Sequence, residues 1–192
     1  MQYQKEEVRI RILEAAYAEF SNVGYTRASV MNIATKAYVA IGNLYRYFGS
    51  KEALFDSLVG VASVALEETI RDIVEKYTSD GADFSSQEMA QEMASAIHEL
   101  GKKYHNGFVL LMEKSRGSKY ENFTEKLCED ITTVCMGAMS RYGKEDEFIA
   151  KIMATGIVNG SFMIIRNVPL DDREEKLKKL MIFYMHGLED RI

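Results

Sequence analysis

Proline is almost absent from this chain, and its absence restricts the possible folds more than any other feature of the sequence. The 192 residues contain a single proline, Pro169, and 47% of them are hydrophobic. Because proline is the residue that most strongly interrupts helices, few positions force a helix to end. Apolar residues also recur every three or four positions along most of the chain. The sequence therefore predicts an all-α protein of about nine helices.

The N-terminal part of the chain predicts three helices. Apolar residues within 6–21 share one helical face, and Gly24 is expected to end this helix. Two short helices follow, over 29–37 with Ser29 as N-cap and over 40–48. Two short helices joined by a tight turn, on a longer preceding helix, are typical of a helix-turn-helix, whose second helix enters the major groove of DNA.

A long fourth helix connects this region to the rest of the chain. Ser50 is its expected N-cap, and apolar residues keep helical spacing from Lys51 to Tyr77. At a rise of 1.5 Å per residue this helix is about 40 Å long, more than a small N-terminal domain can span. We therefore predict two domains, residues 1–50 and residues 51–192, with the helix reaching into the second.

The C-terminal part predicts further helices. A capping box of Ser85 and Glu88 starts one of them, which is expected to end near Gly107. The last helix is expected to start at a second capping box, Asp171 with Glu174. The spacing of apolar residues thus predicts helices up to the end of the chain.

Basic residues dominate one stretch of an otherwise acidic chain. The formal net charge is -5, which disfavours attraction of the whole chain to nucleic acid. Between Phe20 and Lys51, however, the sequence has no Asp or Glu, and this stretch holds the basic residues Arg27, Lys36 and Arg46. A phosphate group would meet no repelling carboxylate from this stretch. The alternative is that so short a stretch lacks acidic residues by chance.

Cysteine usage and the apolar runs predict a soluble cytoplasmic protein. Cys128 and Cys135 lie seven residues apart in one expected helix, a separation of about 10 Å that a disulfide cannot bridge. The longest apolar run, residues 58–66, is short of the roughly 20 residues needed to cross a bilayer. We therefore expect reduced thiols and no membrane partner.

The residues around the predicted helix-turn-helix resemble a known family. The run GYTRASVMNIA over residues 24–34 is followed, after Ala37, by GNLYRYFGSKEAL over residues 42–54. Together they closely resemble the DNA-binding domain of the tetracycline-repressor (TetR) family. The resemblance covers about residues 6–58, and the remainder matches the family only in length and helical layout. It implies a ligand-responsive transcriptional regulator, most simply a repressor of a palindromic operator in double-stranded DNA.

The resemblance implies a set of DNA contacts. Ser29, Lys51 and the pair Tyr45 and Tyr47 would contact backbone phosphates, and Gly42 would let the recognition helix approach the bases. Helix capping, core packing and a solvated charge are the alternatives at these positions. The predicted DNA-binding residues are Arg27, Ser29, Ala40, Ile41, Gly42, Asn43, Tyr45, Arg46, Tyr47 and Lys51.

Three residues of the predicted turn depart from the family pattern. The family usually has glycine where this chain has Tyr38, a hydroxyl residue in place of Ala40 and a basic or polar residue in place of Ile41. We expect Tyr38 to need another backbone conformation and Ala40 to leave the recognition helix without a side-chain cap. Ala40 and Ile41 favour thymine methyls, which predicts A·T pairs in the operator.

Arg46 and Asn43 are suited to phosphate or base contacts.

The resemblance also implies that the last two helices pair with those of a second copy in a four-helix bundle. Two glycines four residues apart offer a groove for close helix approach, and an apolar stripe follows on the last helix. A homodimer is expected as well because two recognition helices about 34 Å apart would bind a palindrome. Packing within one chain is the alternative. The residues concerned are Gly156, Gly160, Leu177, Leu180, Met181, Tyr184 and Leu188.

A pocket for a small apolar effector, between the fourth and eighth helices, is a further implication of the resemblance. Its candidate lining is apolar with a few polar side chains, and ordinary core packing is the alternative for each residue. Effector binding would bias the long helix and release the operator. The candidates are Leu66, Met93, Ile97, His98, Tyr104, Phe108, Leu111, Met112, Tyr120, Cys128, Ile131, Asn159 and Phe162.

Two other functional classes compete with a regulator. An enzyme is disfavoured, because the sequence has no phosphate-binding loop, no dinucleotide-type glycine pattern and no histidine with metal-ligand neighbours. We therefore expect no catalytic residue, cofactor or metal site. The other alternative is an all-helical interaction module with a vestigial DNA-binding domain.

Overall fold

The structure, a computed structural model, describes residues 2–79, 85–140, 143 and 145–190, and all regular secondary structure within these ranges is helical. This confirms the predicted all-α fold. Nine helices are described: α1 (Gln2–Arg27), α2 (Val30–Lys36), α3 (Ile41–Phe48), α4 (Lys51–Thr78), α5 (Ser86–Lys103), α6 (His105–Lys114), α7 (Phe123–Ser140), α8 (Glu147–Asn167) and α9 (Leu170–Asp190).

The chain packs as two compact units. The first comprises Met1–Ser63 and Asn106–Phe123, and the second comprises Val64–His105 and Thr124–Ile192. The helix α4 contributes to both units. These packing units do not coincide with the predicted domains, residues 1–50 and 51–192. The division of function at residue 50 stays a prediction.

Local signals explain the helix boundaries in the first unit. Gly24 interrupts α1 with φ 76° and ψ 165°, a conformation that glycine adopts without a steric penalty, and one helical turn follows it. The Ser29 hydroxyl accepts a hydrogen bond from the amide of Asn32 and caps α2. Ser50 caps α4 in the same way by accepting from the amide of Ala53 at 3.0 Å. The predicted caps Ser29 and Ser50 are confirmed, whereas Gly24 breaks α1 without ending it, since α1 continues to Arg27.

An aromatic cluster forms the centre of the first unit. The Phe55 ring lies 4.9 Å from the Phe20 ring and 5.1 Å from the Tyr25 ring, measured between centroids. The Tyr120 ring lies 6.3 Å from Phe55. Phe20 and Phe55 are almost fully buried, and burial of each contributes roughly 1.5–3 kcal/mol. Residues far apart in sequence therefore share one core with α1 and α4.

The segment 106–123 is attached to this core by close packing and hydrogen bonds. The Tyr17 hydroxyl donates to Asn106 Oδ1 at 3.0 Å, and the Thr26 hydroxyl donates to the Arg116 carbonyl at 2.6 Å. Gly107 lies inside α6, so the prediction that it ends the preceding helix was wrong; α5 ends at Lys103. A Cβ on Gly107 would lie 2.8 Å from the Ala62 Cβ.

The core of the second unit lies where α5, α8 and α9 pack together. Gly156 and Gly160 do provide close approach, but to Tyr184 and Leu180 of α9 in the same chain. The alternative of intrachain packing therefore holds for these contacts. Leu177 and Met181 are also core residues, with no exposed surface in a single chain, so their assignment to a dimer interface is corrected. The side chain of Leu188 lies outside the described residues.

The start of α9 differs from the prediction. The helix begins at Leu170, so Asp171 lies in its first turn rather than at the N-cap. Glu174 accepts a hydrogen bond from the Ser95 hydroxyl of α5 at 2.8 Å instead of closing a capping box. Pro169 occupies the position before the helix, where a proline fits because no N–H is required. The predicted second capping box was therefore wrong.

One face of α8 is exposed in the single chain. The exposed residues recur every three or four positions and form what we call the α8 stripe. By length and composition α8 could also cross a membrane, although core helices pass the same test and its opposite face is buried. The expectation from apolar runs missed this helix, because polar residues interrupt it. The α8 stripe consists of Phe148, Ile152, Thr155, Asn159 and Met163.

The contact between α6 and α4 predicts opposite effects for two glycine substitutions. Gly107→Ala should lower the free energy of unfolding by roughly 1–3 kcal/mol, since the added methyl meets Ala62 Cβ and the Leu58 carbonyl. Gly42→Ala, in α3, should leave it unchanged or raise it by roughly 0.5 kcal/mol, because nothing lies within 4 Å of the added methyl. Urea denaturation measures both. Equal stability of Gly107→Ala and the wild type would contradict the packing described.

Candidate nucleic-acid interface

The helix α3 has one buried face and one exposed face. Leu44 and Phe48 are buried and hold it against the core, as the spacing predicted. Asn43 and Tyr47 are half-buried. The other residues of the helix are exposed, and they are Ile41, Gly42, Tyr45 and Arg46.

Two polar side chains of α3 are oriented by each other. Arg46 Nη2 donates to Asn43 Oδ1 at 2.6 Å on the exposed surface of the helix. The guanidinium keeps further N–H donors for an outside acceptor, since it has five in total. Tyr45, for which partial core packing was the alternative, is 43% exposed. These residues form a surface that can donate hydrogen bonds to phosphate oxygens or base edges.

A buried carboxylate holds α2 against α1. Glu19 Oε2 accepts from the Lys36 ammonium at 2.6 Å, while Oε1 accepts from Asn32 Nδ2 at 3.1 Å and from the Ser29 amide at 3.3 Å. The hydrogen bond from Lys36 lowers the pKa of Glu19, although burial opposes this shift. The carboxylate therefore remains ionised, and its three partners bind α2 to α1.

Glu19 was not among the residues predicted from the sequence, and the prediction for Lys36 needs correction. Lys36 was counted among the basic residues available to phosphate, but its ammonium is paired with Glu19. The signal was present in the sequence: Ser29, Asn32 and Lys36 are spaced by three and four residues, which places them on one helix face. A single acidic residue on α1 could have been sought as their common partner.

Lys51 lies at the start of α4 beside the Gly24 turn. Its ammonium donates to the Thr26 carbonyl at 3.2 Å and lies 4.7 Å from the centroid of the Tyr25 ring. Partial burial lowers the pKa of Lys51. A carbonyl and an aromatic ring orient this ammonium without neutralising it, so that its charge stays available to an anion. The first turn of a helix favours the same kind of ligand.

The turn between α2 and α3 keeps a tight geometry despite its unusual residues. Tyr38 has φ 55°, in the left-handed region, so the expectation that it needs another backbone conformation was wrong. Ala40 occupies the N-cap of α3 without a side-chain hydrogen bond, as predicted. Both Ala40 and Arg27 are exposed, and the Arg27 Nε donates to the Val23 carbonyl at 3.2 Å.

The effector candidates are divided between the two units. Phe108, Leu111, Met112 and Tyr120 belong to the first unit, and the other nine belong to the second. Tyr120 is part of the aromatic core, and its hydroxyl donates to the carboxylate of Asp56. Core packing, the alternative stated for each candidate, therefore describes Tyr120.

Two other candidates have contrasting environments in the second unit. Asn159 is exposed on the α8 stripe, so it does not line an interior cavity of the single chain. His98, in contrast, has a buried Nδ1 that makes no hydrogen bond within the described residues. The hydroxyl of Ser161, which was not predicted to line the effector pocket, is also buried and makes no hydrogen bond within the described residues. Buried polar atoms of this kind need a partner, and a ligand can supply one.

Comparison with known sequences identifies the N-terminal region. The family of bacterial regulatory proteins known as the tetR family matches residues 12–58. The HTH-type transcriptional repressor KstR of Mycolicibacterium smegmatis is 45% identical over 56 residues, which cover 29% of this chain and 28% of that protein. The chain thus spans less than a third of the length of the curated relative.

Solved structures with the same fold cover nearly the whole chain. The TetR-family regulator PfmR of Thermus thermophilus matches with a TM-score of 0.63 and 20% identity, over 93% of this chain and 98% of that one. The regulator FadR of Bacillus subtilis, solved in complex with stearoyl-CoA, matches with a TM-score of 0.53 and 20% identity, over 96% and 99%. At such identities the likeness supports the fold of both units.

The Glu19 contacts predict a pH-dependent loss of stability. Glu19→Gln should lower the free energy of unfolding by roughly 1–3 kcal/mol near neutral pH, because the charge-assisted hydrogen bond to Lys36 is lost. Since the folded-state pKa of Glu19 lies below its ordinary value of 4.5, this contribution is complete above that pH. It disappears as the pH falls through the lowered pKa, so the variant and the wild type should converge in acid.

Urea denaturation at pH values of about 7 and about 3.5 would measure this difference. The matched control is Glu14→Gln, an exposed carboxylate on the same helix, which should change stability by less than about 0.5 kcal/mol. A Glu19→Gln penalty that stays constant with pH would show that the carboxylate charge does not hold α2.

Proposed function

We propose that this chain, which belongs to the tetR family of bacterial regulatory proteins, is a transcriptional repressor that binds double-stranded DNA. The observation that carries the proposal is the exposed α3 in a stretch without acidic residues, within the region that the family matches. With α3 in the major groove, Arg46 and Asn43 face base edges or phosphates, and Ile41 faces thymine methyls. Gly42 has no side chain to hold the helix away from the bases.

The proposed phosphate contacts surround α3. Lys51 contributes an ammonium that Tyr25 and Thr26 orient, and the hydroxyls of Tyr45 and Tyr47 contribute uncharged donors. The Ser29 hydroxyl caps α2 and can also meet a phosphate, because an N-cap oxygen has a proton to donate. Arg27, exposed before α2, adds a further charge.

We further propose that two copies of the chain associate to bind a palindrome. The support comes from large apolar side chains that are exposed in one chain: Phe148 is 71% exposed, Met163 is 63% exposed and Phe183 of α9 is 67% exposed. An apolar surface of this kind costs free energy in water and favours a partner. The dimer surface proposed here thus consists of the α8 stripe and Phe183.

A small apolar effector is the proposed signal. Within the second unit the candidate lining includes buried Met93 and Ile131 and half-buried Leu66 and Phe162. His98, with its unpartnered Nδ1, would hold a polar group of the ligand. The effector would favour the conformation of α4 that binds DNA weakly, and DNA affinity would fall as a result.

Selection of bound sequences from random duplex DNA tests the main proposal. The purified protein should enrich a palindrome with half-sites about one helical turn apart, and its affinity should fall as salt is raised. Lys51→Gln should weaken binding and reduce the salt dependence by roughly one counterion per half-site. The control Lys179→Gln, an exposed position on α9, should change neither. If the folded wild type enriched no sequence, an interaction module with a vestigial DNA-binding domain would be the better conclusion.

The dimer surface predicts a change of mass on substitution. Phe148→Glu combined with Ile152→Glu should convert a dimer to a monomer at micromolar concentration, because it places charges in an apolar interface. Val61→Glu is the matched control, since Val61 is 67% exposed but lies on α4, outside the dimer surface. Sedimentation equilibrium would report the masses. A double variant that remains dimeric would exclude the α8 stripe as the interface.

A further inference from the structure

Tyr38 adopts a backbone conformation that is costly for its type of side chain. It has φ 55° and is the one non-glycine residue with positive φ in the described parts of the chain. The left-handed region brings Cβ close to the backbone, and bulky residues rarely occupy it. Strain of this kind persists only where the surroundings impose it, and it often accompanies a functional role.

The surroundings that impose this conformation are backbone hydrogen bonds. The Tyr38 amide donates to the Thr35 carbonyl at 3.1 Å, and the Val39 amide donates to the Ala34 carbonyl at 3.0 Å. These two bonds close the turn between α2 and α3 and do not involve the tyrosine ring. A glycine at position 38 could therefore form the same turn without the strain.

The Tyr38 side chain gains little from the protein in return. It is 86% exposed, the highest value among the large hydrophobic residues described as exposed. An aromatic ring contributes to stability through burial, and this ring is left in water. Neither folding nor packing of the single chain accounts for a strained tyrosine at this position.

The position of Tyr38 indicates what the ring could contact. It lies two residues before the N-cap of α3, inside the stretch from Phe20 to Lys51 that contains no Asp or Glu. Ala40 and Ile41, which follow it, are exposed as well. A stretch without acidic residues, just before a helix that is proposed to enter the major groove, is electrostatically suited to the DNA backbone.

We propose that Tyr38 is a further DNA-contacting residue, whose hydroxyl donates a hydrogen bond to a backbone phosphate at the edge of the major groove. The inference depends on the proposed DNA-binding function and adds a contact that the family resemblance did not assign. A phenolic hydroxyl is uncharged, so this contact strengthens binding without releasing a counterion. It fixes the orientation of α3 through the turn that precedes it.

The test compares Tyr38→Gly and Tyr38→Phe with the wild type on the duplex that the wild type enriches from a random pool. Both variants should lose about tenfold or more in affinity, as expected for a hydrogen bond to a charged group. Because the contact is uncharged, the slope of affinity against salt should stay unchanged, in contrast to Lys51→Gln. Tyr38→Gly should have a melting temperature that is not lower, and up to about 4 °C higher, because the strain is relieved.

The outcomes separate this inference from the proposed function. Weaker binding by both variants, with an unchanged salt slope and no loss of thermal stability, supports the phosphate contact. Tyr38→Phe binding as tightly as the wild type would overturn the hydroxyl contact, and Tyr38→Gly binding as tightly would overturn any contact at this position. A wild type that enriches no duplex would overturn the proposed function, and the inference would fail with it.

Discussion

The buried carboxylate of Glu19 is the interaction on which the position of the two short helices depends. The helix α2 has only seven residues, too few to be stable alone, and α3 has eight. Glu19 holds α2 at both ends, through the Ser29 amide and the Lys36 ammonium. Removal of the carboxylate would break all three hydrogen bonds at once, including the charge-assisted one from Lys36. The negative charge of Glu19 is thus paired with Lys36 beneath the surface that is proposed to contact DNA.

The first unit also depends on residues that lie far along the chain from α2 and α3. The segment 106–123 contributes Tyr120 to the aromatic core, and its Lys119 ammonium and Tyr120 hydroxyl both contact Asp56 of α4. Lys119 lowers the pKa of Asp56, so this contact too is between opposite charges. The region that carries α2 and α3 therefore does not pack as residues 1–50 alone. Its core includes residues 106–123, which belong to the predicted second domain, 51–192.

The sequence predicted local structure well and tertiary partners poorly, for one physical reason. Ser29 and Ser50 act on amides three residues away, so their spacing alone reveals the caps. Gly156 was recognised as a site of close approach, but a glycine does not specify which helix approaches it, and Tyr184 of the same chain does so. The left-handed Tyr38 could not be expected either, because intrinsic preference opposes it and only the closed turn imposes it.

The position of Lys51 follows from contacts that cross the first unit. Its ammonium is bound to the Thr26 carbonyl, and the hydroxyl of the same threonine is bound to the Arg116 carbonyl. A Cβ on Gly117 would lie 2.5 Å from the Thr26 hydroxyl, so the chain at 116–117 approaches Thr26 as closely as a side-chain-free residue allows. A shift of that segment must therefore displace Thr26 or break its hydrogen bond. Displacement of Thr26 would also move the carbonyl that orients the Lys51 ammonium, without any change within α2 or α3.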